Sequence, residues 1–171
     1  MLPESCTEKD FVTLGKIFYY GRQYEKAFNA YEKAVEANSN SSDAWLGKGK
    51  ALRWLGRYDE AIAAHKKVLE IDDKYYSAWV EQGAALRRKE QYDDAIKSCE
   101  QAIKIKPNYA RAWYNKACYL ALLNKIEPAI ESLRKAVELT ASDGKYKNMA
   151  QEDSDFKPIR NDEQFQKLLR N

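Results

Sequence analysis

The sequence predicts an all-α protein, a right-handed α-α superhelix (solenoid) of four stacked helix pairs closed by a C-terminal helical cap. Three observations predict it. Gly and Pro are scarce, 7 and 4 in 171 residues, roughly half their average usage, while the strong helix formers Ala, Leu, Glu, Lys, Gln and Arg abound. The chain repeats itself at an offset of 34 residues. Within each period the apolar residues advance by threes and fours, as in Trp79, Gly83, Leu86 and again in Tyr92, Ala95, Cys99, Ala102, which is the spacing of one helix face.

The period orders every element. Phe11, Trp45, Trp79 and Trp113 begin the series, followed by Gly15, Gly49, Gly83 and Ala117 in the first half of each unit. The second half carries Tyr24, Tyr58, Tyr92 and Ile126, then Ala27, Ala61, Ala95 and Ala129, then Phe28, Ile62, Ile96 and Ile130, then Ala34, Val68, Ala102 and Ala136. Turn formers break the pattern at Gly56-Arg57 inside a unit and at 38–42, 72–74 and 106–108 between units, where Pro107 cannot continue a helix. The expected helices are 8–21 with 24–37, 42–55 with 58–71, 76–89 with 92–105, and 110–123 with 126–139. Pro128 falls in a first turn, where its missing N–H costs little. A single pair cannot bury its apolar face alone, so pairs must stack into one continuous core. The recurring Gly and Ala let the helices of a pair approach, and a bulkier side chain there should cost about 1–3 kcal/mol.

This period, with its aromatic, Gly, Tyr-x-x-Ala and Ala positions, resembles the tetratricopeptide repeat (TPR) family over residues 8–143. The resemblance implies one TPR domain over 1–171 with repeats 8–41, 42–75, 76–109 and 110–143. Lys48, Gln82 and Lys116 stand where the family usually has Leu, and the usual inter-repeat Pro appears only as Pro107. Residues 144–171 leave the pattern yet carry Tyr146, Met149, Phe156, Ile159, Phe165, Leu168 and Leu169, too apolar for a solvated tail. Short helices near 144–152 and 161–170 should cap the fourth pair. The alternative is that Phe156 to Leu169 folds back into the groove as an internal ligand.

Several function classes find no support. A net charge of +3 argues for neither nucleic acid nor membrane, and the longest apolar run, Ala117–Leu123, falls far short of the roughly 18–20 residues of a span. The first fifteen residues lack a signal-peptide pattern. Cys6, Cys99 and Cys118 suggest neither a disulfide framework nor a zinc site, so reduced thiols and a cytoplasmic location are expected. No catalytic, metal or cofactor motif is present. The one histidine, His65, shares its repeat position with Tyr31, Cys99 and Leu133 and reads as a packed, hydrogen-bonded interior imidazole. Cys118 is the thiol placed toward the groove, without a histidine partner. The chain is therefore expected not to be an enzyme and to need no cofactor.

In the family it resembles, first helices line a concave groove in which peptides bind. The inward positions, Gly47, Glu81 and Cys118 among them, include seven basic residues against two acidic ones. Lys16, Tyr19, Tyr20, Lys50, Arg53, Trp54, Arg87, Arg88, Arg111, Tyr114 and Asn115 are the candidate peptide-binding residues. Arginines supply paired donors for a carboxylate and rings supply anchors, so the expected function is a noncatalytic adaptor for an acidic or carboxylate-bearing peptide. The two-carboxylate clamp by which some relatives bind chaperone tails is not reproduced: its positions hold Val12, Lys16, Gly47, Ser77 and Glu81, or, one unit on, Leu46, Lys50, Glu81, Arg111 and Asn115. The competing expectation is a single-stranded RNA-binding helical repeat, since cations and rings also suit phosphates and bases. The expected partner is a protein or peptide, with nucleic acid and membrane disfavoured and a monomer favoured over weak self-association.

Overall fold

Helix α1 (Glu8–Tyr20) starts at a capping box: Thr7 Oγ1 accepts from Asp10 N–H, and the Asp10 carboxylate accepts from Thr7 N–H at 2.8 Å. From there helix follows helix in a computed structural model that describes residues 7–142 and 144–170; Cys6 lies outside them. The sequence continues through α2 (Tyr24–Ala37), α3 (Ser42–Trp54), α4 (Tyr58–Ile71), α5 (Tyr76–Arg88), α6 (Tyr92–Ile105), α7 (Ala110–Leu122) and α8 (Ile126–Glu138). Then come α9 (Lys145–Glu152), a 3-10 turn (Ser154–Ile159) and α10 (Glu163–Arg170). The 3-10 turn has no counterpart in the sequence expectation, because Pro158 and the run of polar residues hide it.

The 34-residue period reappears in the backbone. Arg22, Gly56, Glu90 and Asn124, all at one repeat position, take the left-handed conformation with φ of 57°, 79°, 60° and 54°. Each lets the next residue's N–H reach back to a carbonyl five residues earlier, as in Gln23 to Phe18 at 2.9 Å and Lys125 to Leu120 at 2.9 Å. Only Gly56 and Asn124 suit this conformation; Arg22 and Glu90 adopt it at a cost of about 1–2 kcal/mol each. The recurring tryptophans act through their N–H as well as their area. Trp45, Trp79 and Trp113 donate from Nε1 to the carbonyls of Ser39, Asp73 and Pro107 at 2.8, 3.4 and 2.8 Å, each tying down the inter-unit loop six residues upstream.

The chain forms two compact units, Met1–Ala85 and Leu86–Asn171. In unit 1, α1 packs on α2, α2 on α3 and α3 on α4. Val12, Ala27, Tyr31, Ala34, Ala44 and Ala51 form one buried cluster, and Leu52, Ala61 and Ala64 another with Phe28, Trp45 and Ile62 against it. In unit 2, α6 packs on α7 and α7 on α8, with Leu133, Ala136, Phe156, Ile159 and Phe165 at most 1% exposed.

Close approach explains the small residues. A Cβ on Gly49 would lie 2.4 Å from the His65 ring and one on Gly15 2.7 Å from Tyr31. Gly47 was expected to face the groove, but it abuts the other side of Tyr31, where a Cβ would come within 2.2 Å of the ring. The reason is that α3 packs on α2 as well as on its own partner, so a second glycine is needed. Gly47→Ala gains about 1 kcal/mol of helix propensity but must displace a ring that is 3% exposed. We therefore expect net destabilisation of about 1–2 kcal/mol in urea unfolding; a stabilised variant would refute this packing.

Candidate peptide-binding walls

The first helices of unit 1 meet side by side. Lys16 of α1 reaches Asp43 of α3 at 3.6 Å, and Arg53 of α3 reaches Glu81 of α5 at 3.5 Å, with Lys50 3.9 Å from the same carboxylate. Glu81 is 2% exposed, so two of the wall's cations are held around one buried acid, which offsets part of their charge. Asp43 also accepts from Tyr75 Oη at 2.8 Å.

At the C-terminal ends of α1 and α3 the rings gather. Trp54 Nε1 donates to Tyr19 Oη at 2.9 Å. Tyr24 stacks on Trp54 with centroids 5.3 Å apart and planes 6° from parallel, while Tyr19 meets Tyr20 and Tyr24 edge-on. The Arg53 guanidinium lies 5.2 Å from the Trp54 ring. Despite these contacts Trp54 remains 53% and Tyr20 82% exposed, beside Ile17 at 63%. Lys16, Tyr19, Tyr20, Lys50, Arg53 and Trp54 thus come together on one wall. Tyr24, a repeat position in the sequence, joins them because its place directly after the turn sets it next to the end of α1.

Unit 2 differs. Arg87 grips both carboxylate oxygens of Asp155, with Nε 3.1 Å from Oδ2. Tyr114 Oη donates to Asp153 at 2.7 Å, and the Tyr114 ring stacks on Tyr146 at 4.7 Å and meets Phe156 edge-on at 5.8 Å. Phe156 packs on Phe165 at 5.3 Å. Tyr114 is consequently 3% exposed. Arg111 and Asn115 are half-buried on α7, and Arg88 is exposed. Burial pushes the Asp155 carboxyl above its ordinary range against the pull of Arg87.

The tail packs against the fourth pair. α9 and α10 pack on α8 as a cap, and the 3-10 turn packs on α7. The segment on the wall is Asp153–Phe156 rather than Phe156–Leu169. It covers Cys118, whose Sγ lies 3.9 Å from Asp153. The sequence placed this thiol toward an open groove; instead it is 3% exposed, and burial drives it well above its ordinary value. Cys99 is fully buried and pushed up to about 12 by burial. Neither described cysteine is an accessible thiolate. His65 is buried as expected, but neither ring nitrogen meets a hydrogen-bond partner among the described residues. It is packed against Gly49. No described helix is long and apolar enough to cross a membrane.

Tetratricopeptide-repeat family models match residues 12–76, 76–109 and 110–143. The chain belongs to the tetratricopeptide-repeat family. Its all-α TPR fold is shared with solved structures of low sequence identity. A MamA protein is 22% identical, with 95% of this chain and 90% of that chain covered and a TM-score of 0.73. MamA 41-end from Desulfovibrio magneticus RS-1 is 25% identical over 95% of this TPR chain and 93% of its own, with a TM-score of 0.72. The first TPR of Spaghetti (RPAP3), bound to the HSP90 peptide SRMEEVD, is 18% identical over 69% of this chain and 94% of its own, with a TM-score of 0.66. No curated protein matches the sequence. The TPR fold supports a role as a protein–protein interaction scaffold.

Proposed function

We propose that this TPR protein is a noncatalytic adaptor whose unit 1 wall holds an acidic or carboxylate-bearing peptide. The observation that carries the reading is the half-exposed Trp54, set among Tyr19, Tyr20 and Tyr24 and flanked by Lys50 and Arg53. Large rings beside cations, left to solvent by a fold that buries most of its apolar surface, are the composition of an anchor site. Lys16 and Lys50 supply positive potential along the wall, and Arg53 is already positioned by Glu81. The structurally similar RPAP3 domain was solved with an acidic peptide, which supports the same ligand chemistry here. The clamp positions differ, so a different peptide is the expected ligand. In unit 2, the tail engages Arg87 and Tyr114, and Arg88, Arg111 and Asn115 are the remaining candidates on that unit's own wall.

A preformed wall spares the protein's ordering cost but not the peptide's, so micromolar binding is the natural scale. The test is fluorescence anisotropy with labelled peptides of equal length: acidic with a free C-terminal carboxylate, acidic with a C-terminal amide, and basic. The acidic peptides should bind with micromolar Kd. Trp54→Ala should weaken them about tenfold or more, and Lys50→Gln should flatten the salt dependence. Binding that ignores Trp54→Ala would refute the wall, and tight binding of mixed-sequence RNA with a steep salt slope would favour the RNA-binding alternative.

A further inference from the structure

The repeat register exposes an asymmetry between the two walls. Arg53 and Arg87 occupy the same position in successive units, 34 residues apart. Arg53 finds its acid within the repeats, at Glu81. The position corresponding to Glu81 one unit later is Asn115, which is neutral. Arg87 instead takes its carboxylate from Asp155, 68 residues away in a segment outside the repeat pattern. A second acid of that segment, Asp153, accepts from Tyr114 Oη, and the following Phe156 fills the space beside the Tyr114 ring.

A cap needed only to cover apolar surface would do so with apolar residues. Burying an ion pair is worth little more, and often less, than packing hydrocarbon of the same volume. Asp153 and Asp155 also lie close enough for Asp153 to raise Asp155's affinity for a proton, which adds repulsion to the cost. What this arrangement supplies is discrimination. An arginine fork reads one carboxylate at both oxygens, a phenol hydroxyl reads a second carboxylate two residues earlier, and a ring socket reads an aromatic directly after the first.

We propose that the α7 wall of unit 2 is a second docking site, built to read a partner segment of the form acid–any residue–acid–aromatic, and that Asp153–Phe156 is its resident, exchangeable occupant. A partner protein that exposes such a segment takes the site by replacing the tail at Arg87 and Tyr114. Because the tail is tethered, its effective concentration is of millimolar order, so only a partner presenting its segment at comparable local concentration, or with better contacts, gains the wall. The proposal goes beyond the unit 1 reading and does not depend on it.

The test adds a labelled peptide of residues 151–160 to the full chain. Asp155→Lys sets a like charge against Arg87 and should eject the resident segment. The peptide should then bind the variant at least tenfold more tightly than the unaltered chain. Its double Asp→Asn counterpart should bind at least tenfold more weakly, and adding Arg87→Gln should abolish binding. Trp54→Ala, which tests unit 1, should leave this affinity unchanged, so the two proposals fail separately. Equal affinity for the variant and the unaltered chain, with helical content intact, overturns the inference. So does a concentration-dependent dimer that exchanges tails between copies and excludes the peptide. Should Asp155→Lys not fold, hydrogen exchange on the unaltered chain decides: millimolar peptide must accelerate exchange at amides 153–159, and unchanged protection refutes exchange.

Discussion

Phe156→Ala should destabilise unit 2 by about 3–5 kcal/mol, the cost of emptying a fully buried aromatic site that cannot collapse. The ring is 0% exposed and touches Tyr114 edge-on and Phe165 at 5.3 Å. Its loss unseats the middle of a four-ring cluster that also holds Tyr146. In a protein of this size the change corresponds to a fall in Tm of roughly 10 °C. Urea unfolding followed by hydrogen exchange should place the loss in α7, α8 and the tail. Phe156→Leu, which keeps most of the volume, should cost less than about 1.5 kcal/mol. A loss below about 1 kcal/mol for Phe156→Ala would mean that the ring only rests on the wall, and the cap would have to be ascribed to Ile159 and Phe165 alone.

The same contacts show what could be read in advance. Helix boundaries fall within about one residue of those drawn from the period, because four copies of one pattern report each boundary four times and local ambiguities cancel. The left-handed turn position is announced by residue type only at Gly56 and Asn124. Arg22 and Glu90 adopt a conformation their residue types disfavour, so nothing local announces it; only the 34-residue register does. Gly47 misled for a related reason. Helical spacing places it on the inward face, yet α3 packs on α2 as well as on α4, and the side facing Tyr31 overlaps the one expected to face the groove. On the unit 1 wall, the cations and rings were legible as residues, whereas their neutralisation by Glu81 and Asp43 depends on neighbouring helices meeting at particular heights.

The role of Asp153 and Asp155 was the least legible feature. Their partners lie 39 and 68 residues away, and acids at the start of a short helical turn have an adequate local explanation: Asp153 accepts from Asp155 N–H at 3.0 Å. A signal was nonetheless present. The repeat register shows a carboxylate at Glu81 and an amide at Asn115 opposite equivalent arginines, so Arg87 required an acid from elsewhere, and the apolar tail was the segment expected to fold back. Half-buried cations ask for partners, and tracing that demand through a repeat locates the residue that meets it.

His65 is a buried base without a partner among the described residues. His65 should make unit 1 lose about 3 kcal/mol of stability between pH 6.5 and pH 4. Burial holds its folded-state pKa down at about 4, against an ordinary 6.5; Glu81 opposes the shift, while Arg53 and Lys50 reinforce it. Above pH 6.5 the imidazole is neutral whether the chain is folded or not, and the full stability is present. As pH falls from 6.5 the unfolded chain binds a proton that the folded one refuses, so stability drops by about 1.4 kcal/mol per pH unit until the folded imidazole titrates as well. His65→Leu removes this slope. The substitution suits the site, since the same repeat position is the fully buried Leu133 in the fourth pair, and the ring stacks on Gly49 rather than on a polar group. It also removes two buried nitrogens that lack partners, so the variant should already be more stable at pH 7, by about 1–3 kcal/mol. Urea unfolding at pH 7, 6, 5 and 4.5 measures both effects as a difference between the two proteins, in which the titration of all other carboxylates cancels. A difference that widens steadily toward acid identifies His65 as the source; a constant difference would mean that the imidazole takes up its proton at the same pH folded and unfolded, and a difference that narrows toward acid that the charged imidazole is held by Glu81.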